Sequence, residues 1–346
     1  MEHVEHLVIG AGPAGLRAAQ VLAEAGREVL VLERNAEVGP KTCGGGLTAK
    51  AVRDLEALGL PGDTGLSLIA HGSFKDEGAH PLEAANGMVR TVARRTLGAL
   101  QARWTRAAGA EIRVESPASE IDLTGRTVSV HGTRIRFTHL IGADGSTSAV
   151  RRALGIASPR DYFAAEFNIP GVRMDQLTVS FDSAHLASGY FWIFPHSAYV
   201  CVGAGAPKAL VPPATIRPYL QRRLQELGID PGGTPYEGAT IEVSFVGLHF
   251  PGNVHLVGDA AGCPSGLTAE GIYPALVTGE EVARQILEPN APAPKTGAWL
   301  RSKRQHDLLG RAWLRRGLRD ASFSVLAGAW RSSLAQRLIA RFFLGR

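Results

Sequence analysis

A cysteine followed by three glycines is the first segment whose residue types could do chemistry. Cys43 directly precedes Gly44, Gly45 and Gly46, so its thiol lies where the backbone can approach a ligand closely. A thiol in such a place can donate or relay a proton, or contact a reacting group. The alternative is a small buried filler, the usual role of a single cysteine. We predict Cys43 as a catalytic residue, with Tyr273 as a second candidate acid.

An aromatic run is the second such segment. Residues 190–195 read Tyr-Phe-Trp-Ile-Phe-Pro, and seven residues later the chain continues Gly203-Ala204-Gly205. On a strand, side-chain alternation places Trp192 and Phe194 on one face and Phe191 on the other. These aromatics either wall a cavity for an apolar ligand or form ordinary sheet core. The predicted ligand contacts are Tyr190, Phe191, Trp192 and Phe194.

A glycine-rich turn near the N-terminus has the context of a dinucleotide site. Residues 10–15 read Gly-Ala-Gly-Pro-Ala-Gly, after an apolar run and before a helical stretch, and Glu33 ends the next apolar run. In this pattern Gly10 permits the sharp turn, Gly12 lets the backbone approach a pyrophosphate, and Gly15 lets the helix pack on the sheet. Glu33 can accept the hydroxyls of an adenosine ribose.

Two further motifs indicate which dinucleotide binds. Residues 144–151 fit Asp-Gly-x-x-Ser-x-x-Arg, and Gly258-Asp259 is followed twelve residues after the aspartate by Gly271-Ile272. With the glycine-rich turn, these motifs resemble the p-hydroxybenzoate-hydroxylase-like flavoproteins over residues 1–290. In that superfamily the second aspartate contacts the flavin ribityl chain and pyrophosphate, and the following helix points its N-terminus at the flavin ring. For Asp144, capping of a turn is an equally good interpretation.

The resemblance implies FAD as the cofactor and extends the set of predicted contacts. Arg94, which opens a predicted helix, resembles the family arginine near the FAD phosphates, and the neighbouring Arg95 is an alternative. The predicted FAD contacts are Gly10, Gly12, Ala14, Gly15, Glu33, Gly44, Gly45, Leu47, Arg94, Ala118, Asp144, Asp259, Gly271 and Ile272.

The aromatic run and the cysteine loop narrow the resemblance further. Residues 40–47, the Tyr-x-Trp-x-Phe-Pro run with its later Gly-x-Gly, and residues 269–273 are together similar to the geranylgeranyl reductase family. This resemblance implies an FAD-dependent reductase that saturates C=C bonds of an isoprenoid, using hydride from reduced flavin and a donated proton. Such chemistry needs an apolar channel that excludes water.

Two other functions and two electron donors stay open. The same fold serves FAD-dependent aromatic monooxygenases, and it also serves non-catalytic proteins that bind prenyl lipids. The intact glycine-rich turn, Glu33 and Gly258-Asp259 favour the enzymes, because non-catalytic relatives usually lose the flavin site. No second Gly-x-Gly-x-x-Gly is present, so NAD(P)H and ferredoxin are both candidate donors.

The elements that position these residues predict an α/β fold in three parts. A Rossmann-type FAD-binding domain covers residues 1–156 and 250–290, because apolar strand patterns leading into glycine-rich turns occur in both. Between them, residues 157–249 show short apolar runs separated by turn residues, which predicts an inserted antiparallel-sheet substrate domain. Residues 291–346 form a helical C-terminal segment, with helical stretches predicted at 298–318 and 330–344.

Positive charge is concentrated in this last segment. The chain carries a net charge of +5, whereas residues 301–346 alone hold eleven Lys and Arg against two acids. Basic helices with Trp299, Trp313 and Trp330 suit either adsorption to anionic lipid through residues 297–346 or a helical cap with a solvated basic face. No nucleic-acid module accompanies the charge.

The remaining sequence features set the expected location. Three widely spaced cysteines predict neither a metal site nor a disulfide framework. The N-terminus enters a strand without a signal-peptide pattern, and no apolar run is long enough to span a bilayer. We expect a cytoplasmic protein, peripheral on the inner face of the membrane if the basic segment binds lipid.

Overall fold

The protein is described by a computed structural model that covers residues 1–74, 80–81, 88–157, 159–329 and 332–344. Its strands are β1 (Glu2–Ile9), β2 (Val29–Leu32), β3 (Gly46–Leu47), β4 (Leu66–Phe74), β5 (His80–Pro81), β6 (Met88–Thr91), β7 (Glu111–Arg113), β8 (Ala118–Asp122), β9 (Thr127–Val130), β10 (Thr133–Gly142), β11 (Asp161–Pro170), β12 (Leu177–Phe181), β13 (Tyr190–Pro195), β14 (Tyr199–Pro207), β15 (Tyr236–Glu242), β16 (His249–Phe250) and β17 (Val254–Leu256). Its helices are α1 (Pro13–Glu24), α2 (Ala49–Ala57), α3 (Arg94–Ala107), α4 (Ala149–Ala153), α5 (Ser183–Leu186), α6 (Ile216–Glu226), α7 (Ile272–Leu287), α8 (Pro294–Trp313), α9 (Arg316–Ala329) and α10 (Ser333–Leu344).

The first sheet has the order β16-β17-β10-β1-β2-β7. Strands β7, β2, β1, β10 and β17 run parallel, and β16 pairs antiparallel with β17. Parallel strands are covered on both faces, which explains why the apolar runs Leu7–Ile9, Val29–Leu32 and Val254–Leu256 are buried without alternation. Helices α1 and α7 pack closely against each other, since a side chain at Gly279 of α7 would meet the backbone of Ala14 in α1.

The second sheet has the order β15-β11-β14-β13-β12-β4-β6-β3 and is mainly antiparallel. It takes strands from residues 46–91 as well as from 157–249, so the N-terminal part of the chain contributes to both sheets. Helix α6 covers one face through Ile216 and Leu220, which pack against Ile193. The α/β fold class predicted from the sequence is confirmed, while the domain boundaries at 157 and 249 stay a prediction.

The C-terminal helices pack onto the second sheet. Trp313 and Phe323 are fully buried, with ring centroids 4.8 Å apart, and both meet Phe181 of β12. The helical structure also continues through residues 319–329, which lie between the two predicted stretches. Trp299 and Trp313 are buried rather than interfacial, so their predicted contact with lipid is corrected; Trp330 lies outside the described residues.

Candidate FAD and substrate site

The first glycine-rich turn has the geometry of a phosphate-binding loop. Gly10 has φ +104°, and a side chain there would collide with the backbone of Ala143. An added Cβ at Gly15 would meet the Gly10 carbonyl, so α1 can lie this close to the sheet only because residue 15 has no side chain. A Cβ at Gly12, in contrast, would have nothing within 4 Å. The turn therefore leaves open space beside Gly12 at the N-terminus of α1, where a phosphate is favoured by the helix dipole.

Glu33 lies beside this turn at the end of β2. Its Oε2 accepts a 3.0 Å hydrogen bond from the Ala11 backbone N–H, and its Oε1 accepts bonds of 2.9 and 2.8 Å from the backbone and side chain of Asn35. These donors fix a buried carboxylate next to the turn. Its position suits the ribose-binding role predicted from the sequence. Ala118 begins β8 and is half-buried in the core near Val130.

A charged cluster surrounds Asp259, which follows Gly258 near the start of α1. Lys41 Nζ donates to Asp259 Oδ2 at 2.7 Å, and Ser146 Oγ donates to the same oxygen at 3.3 Å. Burial alone would raise the Asp259 pKa, but Lys41 and Arg94 hold it below its ordinary value. Asp259 is therefore a carboxylate at neutral pH, as a partner of ribityl hydroxyls should be. The sequence analysis did not single out Lys41.

The side chains of the two adjacent arginines lie in different environments. Arg94 is buried and lines the central cavity, and within the described chain its Nε has no hydrogen-bond partner. Arg95 instead points outward, with its side chain 70% exposed and paired with Glu37 at 2.8 Å. A buried guanidinium with an unpaired donor is costly unless an anion completes it. This arrangement favours Arg94 as the residue that would hold an FAD phosphate.

Asp144 acts as a helix cap in the structure. Its carboxylate accepts bonds from Ser148 Oγ and from the backbone N–H groups of Ala149 and Val150, at the start of α4. Burial raises the pKa of this carboxyl, and these donors oppose the rise. Of the two interpretations left open by the sequence, its contacts support capping. Leu47, another predicted FAD contact, is fully buried in a hydrophobic cluster.

A largely apolar cavity of about 300 Å³ lies against the second sheet. The loop from Cys43 to Gly46 forms one wall, β11 and β13 form another, and the N-terminus of α7 closes one end. Gly271, the residue before α7, has no side chain to cap the helix, so the first helical N–H groups are left without a side-chain partner at this end. Helix α10 completes the enclosure through Ile339 and Ala340.

The three glycines are required by the aromatic strand that faces them. An added Cβ at Gly44 or Gly46 would lie 2.7 Å from the ring of Phe194. Gly45 has φ +70°, and its Cβ would meet the Val92 carbonyl. Since only a chain without side chains can pass here, the glycines bring the backbone against the aromatic wall. Cys43 follows the same path and lines the cavity, half-buried.

The aromatic strand alternates as predicted. Tyr190, Trp192 and Phe194 line the cavity, and the Tyr190 hydroxyl donates a 2.7 Å bond to the Thr268 carbonyl. Phe191 lies on the other face, 1% exposed, where it packs against Tyr219 of α6. Phe191 is therefore not a wall of the cavity, and its predicted substrate contact is corrected.

Tyr273 stands at the helical end of the cavity. Its ring is half-buried, and the Lys50 ammonium lies 4.6 Å above the ring centroid. Burial raises the pKa of the phenol, which makes it a weaker acid. The structure thus brings both predicted catalytic residues, Cys43 and Tyr273, to the walls of one cavity.

Sequence analysis missed a carboxyl in the same cavity. Glu166, on β11, is 1% exposed and accepts a 2.9 Å hydrogen bond from the Cys43 backbone N–H. The Cys201 thiol is its neighbour and receives a bond from Trp192 Nε1 at 3.3 Å. One sequence signal existed: a single acid interrupts the otherwise uncharged run from Tyr162 to Pro170.

These residues fit the cofactor implied by the motifs. The open space at Gly12 and the unpaired Nε of Arg94 offer anion contacts to a dinucleotide diphosphate, and the uncapped start of α7 offers N–H groups to a flavin ring in the cavity. Glu33 and Asp259 offer carboxylate acceptors for hydroxyl groups of the cofactor. The fold and this site define an FAD-binding oxidoreductase.

Comparison with known proteins agrees with that class. A family model described as FAD binding domain matches residues 3–227. Digeranylgeranylglycerophospholipid reductase 1 of Methanopyrus kandleri is 32% identical, over 82% of this chain and 80% of its own. The menaquinone reductase of Mycobacterium tuberculosis is 30% identical, over 82% and 76%. A geranylgeranyl bacteriochlorophyll reductase-like structure from Thermoplasma acidophilum shares the fold, with TM-score 0.76, 21% identity and coverage of 99% and 96%. The chain belongs to the geranylgeranyl reductase-like family of FAD-dependent oxidoreductases.

Proposed function

We propose that the protein saturates C=C bonds of an isoprenoid chain. The observation that carries this proposal is the cavity of about 300 Å³, whose walls are largely apolar, include aromatic side chains and carry Cys43. A cavity of this kind suits a flexible hydrocarbon better than a charged or strongly polar substrate. The names of the relatives, a prenyl-lipid reductase and a quinone reductase, point to the same substrate class.

FAD, when bound, supplies the hydride that adds to one carbon of the double bond. The residues of this chain hold the cofactor and shape the channel. Arg94 and the N-terminus of α1 would bind the diphosphate, and Glu33 and Asp259 would accept hydrogen bonds from hydroxyl groups of the cofactor. Trp192 and Phe194 exclude water from the reacting carbons. Cys43 contacts the double bond from the loop, and Tyr273 borders the helical end of the cavity.

A peripheral membrane contact is the second part of the proposal. Within the described residues, no helix combines the length and apolar composition needed to cross a bilayer. Helix α10, however, exposes Leu334 and Leu338, 64% and 61% exposed, beside Arg337 and Arg341. Its inner face lines the cavity through Ala340. An outer face of leucine and arginine suits anionic lipid and would place the cavity next to the membrane that holds its substrate.

Anaerobic turnover with defined lipids tests the proposal. Protein reconstituted with FAD is photoreduced without oxygen and incubated with a geranylgeranyl ether lipid or a polyprenyl menaquinone. Mass spectrometry should show products that gain two hydrogens per reduced bond. Parallel reactions with NADPH or with reduced ferredoxin identify the donor. Oxygen-dependent hydroxylation of an aromatic acid, with prenyl lipids untouched, would instead establish a monooxygenase.

A further inference from the structure

Alkene reduction consumes a proton, and the cavity contains one acid that the sequence motifs do not mark. Glu166 lies on β11 opposite Gly203 of β14, which in turn lies opposite Trp192 of β13. Directly paired residues of neighbouring antiparallel strands point to the same face. Glu166 therefore shares the cavity face with the Trp192 indole, and it lines the cavity.

The surroundings of Glu166 favour a neutral carboxylic acid. Its Oε2 has no nitrogen or oxygen partner within the described chain, and no cation pairs with the carboxyl. Burial raises its pKa, and the charge of Glu237 raises it further, while hydrogen bonds from Cys43, Cys201 and Asn168 only partly oppose the rise. A buried carboxylate without a neighbouring cation is costly, which favours the protonated form of Glu166.

An exposed carboxyl lies one side chain away from this acid. Asn168 Nδ2 lies 3.4 Å from Glu166 Oε1 and 3.5 Å from Glu237 Oε2. Glu237 is exposed on β15, directly opposite Glu166. A buried acid one side chain away from an exposed carboxylate can recover its proton between turnovers.

We propose that Glu166 is the acid that supplies the proton consumed in the reduction. This rests on the proposed function. The Glu166 O–H bond breaks and a new C–H bond forms from the π electrons of the alkene, while the hydride comes from reduced flavin. The carboxylate left behind takes a proton from solvent. Cys43 and Tyr273 then serve as contacts for the alkene and as cavity wall.

Glu166→Gln separates this role from a structural one. Glutamine keeps an oxygen that accepts the Cys43 N–H bond but holds no acidic proton. We expect turnover to fall by roughly a hundredfold or more, the scale of general acid catalysis, with FAD affinity and flavin reduction rate unchanged. The decline of wild-type turnover at high pH should be absent from the residual activity. Asp161→Asn, on the same strand but outside the cavity, is the matched control and should behave as wild type.

Infrared spectroscopy supplies a readout that needs neither substrate nor turnover. The wild-type protein should show the C=O band of a protonated carboxyl at pH 7, and Glu166→Gln should lose it. Wild-type turnover in the variant, or a band unchanged by the substitution, would overturn the proposal. If the variant fails to fold, the absence of any such band from the wild-type protein at pH 7 overturns it equally. A protein with the band but inactive on every prenyl lipid would contradict the proposed function alone.

Discussion

The indole Nε1 of Trp192 donates a 3.3 Å hydrogen bond to the Sγ of Cys201 on the neighbouring strand. This bond holds the ring flat along the sheet, over Gly203, where a side chain would collide with it. Burial raises the pKa of the Cys201 thiol well above its ordinary value, so the sulfur stays neutral and the contact persists at physiological pH. Gly203, the first glycine of the Gly-x-Gly motif, therefore leaves the space that the Trp192 ring occupies.

Alanine at Gly203 should therefore destabilise the fold. Its Cβ would meet the indole and lie 2.7 Å from the Ala165 carbonyl, and overpacking of this kind costs about 1–3 kcal/mol. Gly205→Ala is the matched control, since its Cβ would lie 3.2 Å from the Ala164 Cβ, a milder contact. Urea denaturation should show the larger loss in free energy of unfolding for Gly203→Ala. Equal losses would mean that the indole does not depend on this glycine.

The adjacent residues Arg94 and Arg95 give a test of the cofactor site. Arg94→Met should weaken FAD binding by roughly tenfold to a hundredfold, because a charge-assisted hydrogen bond contributes about 1.5–3 kcal/mol. Arg95→Met removes the same charge from the exposed position and should leave FAD affinity unchanged. Quenching of flavin fluorescence measures both dissociation constants. A loss at Arg95 rather than Arg94 would reverse the assignment.

Replacing Cys43 with serine tests the cavity wall. The variant should retain FAD, because the thiol is not among the charged groups that fit the diphosphate. It should lose turnover by roughly a hundredfold, the scale that misplacement of a reacting group by about 1 Å produces. Its turnover should still decline at high pH, since Glu166 remains in place. The assay uses the same electron donor for both proteins, and wild-type turnover in Cys43→Ser would remove this residue from the mechanism.

Local motifs were enough to predict residues for the cofactor site, because Gly10, Glu33 and Asp259 each follow a buried strand at a fixed spacing. Period-two alternation also separated Phe191 from Trp192. The sequence did not indicate Glu166 as a cavity residue, because its position there depends on contact with a loop 123 residues away in the chain, and no local pattern predicts such a contact. Lys41 was missed for the same reason, as its partner Asp259 lies 218 residues further on.

A row of histidines should make the stability of the protein fall in acid. His6, His139, His255 and His249 lie on adjacent strands, with His255 bonded to His249 at 2.9 Å. Burial, and then the neighbouring histidines, lower the pKa of His255 to about 3. The unfolded chain binds this proton near pH 6.5, so stability is complete above that pH and is lost as pH falls toward 3. His255 contributes a loss of roughly 2 kcal/mol between pH 8 and pH 5.

Denaturation at pH 8 and at pH 5 measures this loss. His255→Gln cannot take up the proton, so its free energy of unfolding should change less between the two pH values than that of the wild type. His3→Gln, at an exposed position on β1, is the control and should follow the wild type. A pH dependence that is unchanged in His255→Gln would assign the acid sensitivity to other groups.

The outer face of α10 should govern binding to lipid. Leu334 and Leu338 lie one helical turn apart, and insertion of each exposed leucine into a bilayer interface contributes about 1.5–3 kcal/mol. Leu334→Glu with Leu338→Glu removes that contribution and adds charges that anionic lipid repels. The double variant should no longer sediment with phosphatidylserine vesicles, and its turnover of a soluble short-chain substrate should persist because the inner face of α10 is unchanged. Leu210→Glu, at another exposed leucine in the loop before α6, is the matched control and should still sediment. Full sedimentation of the double variant would show that this face does not contact the membrane and that substrate enters the cavity by another route.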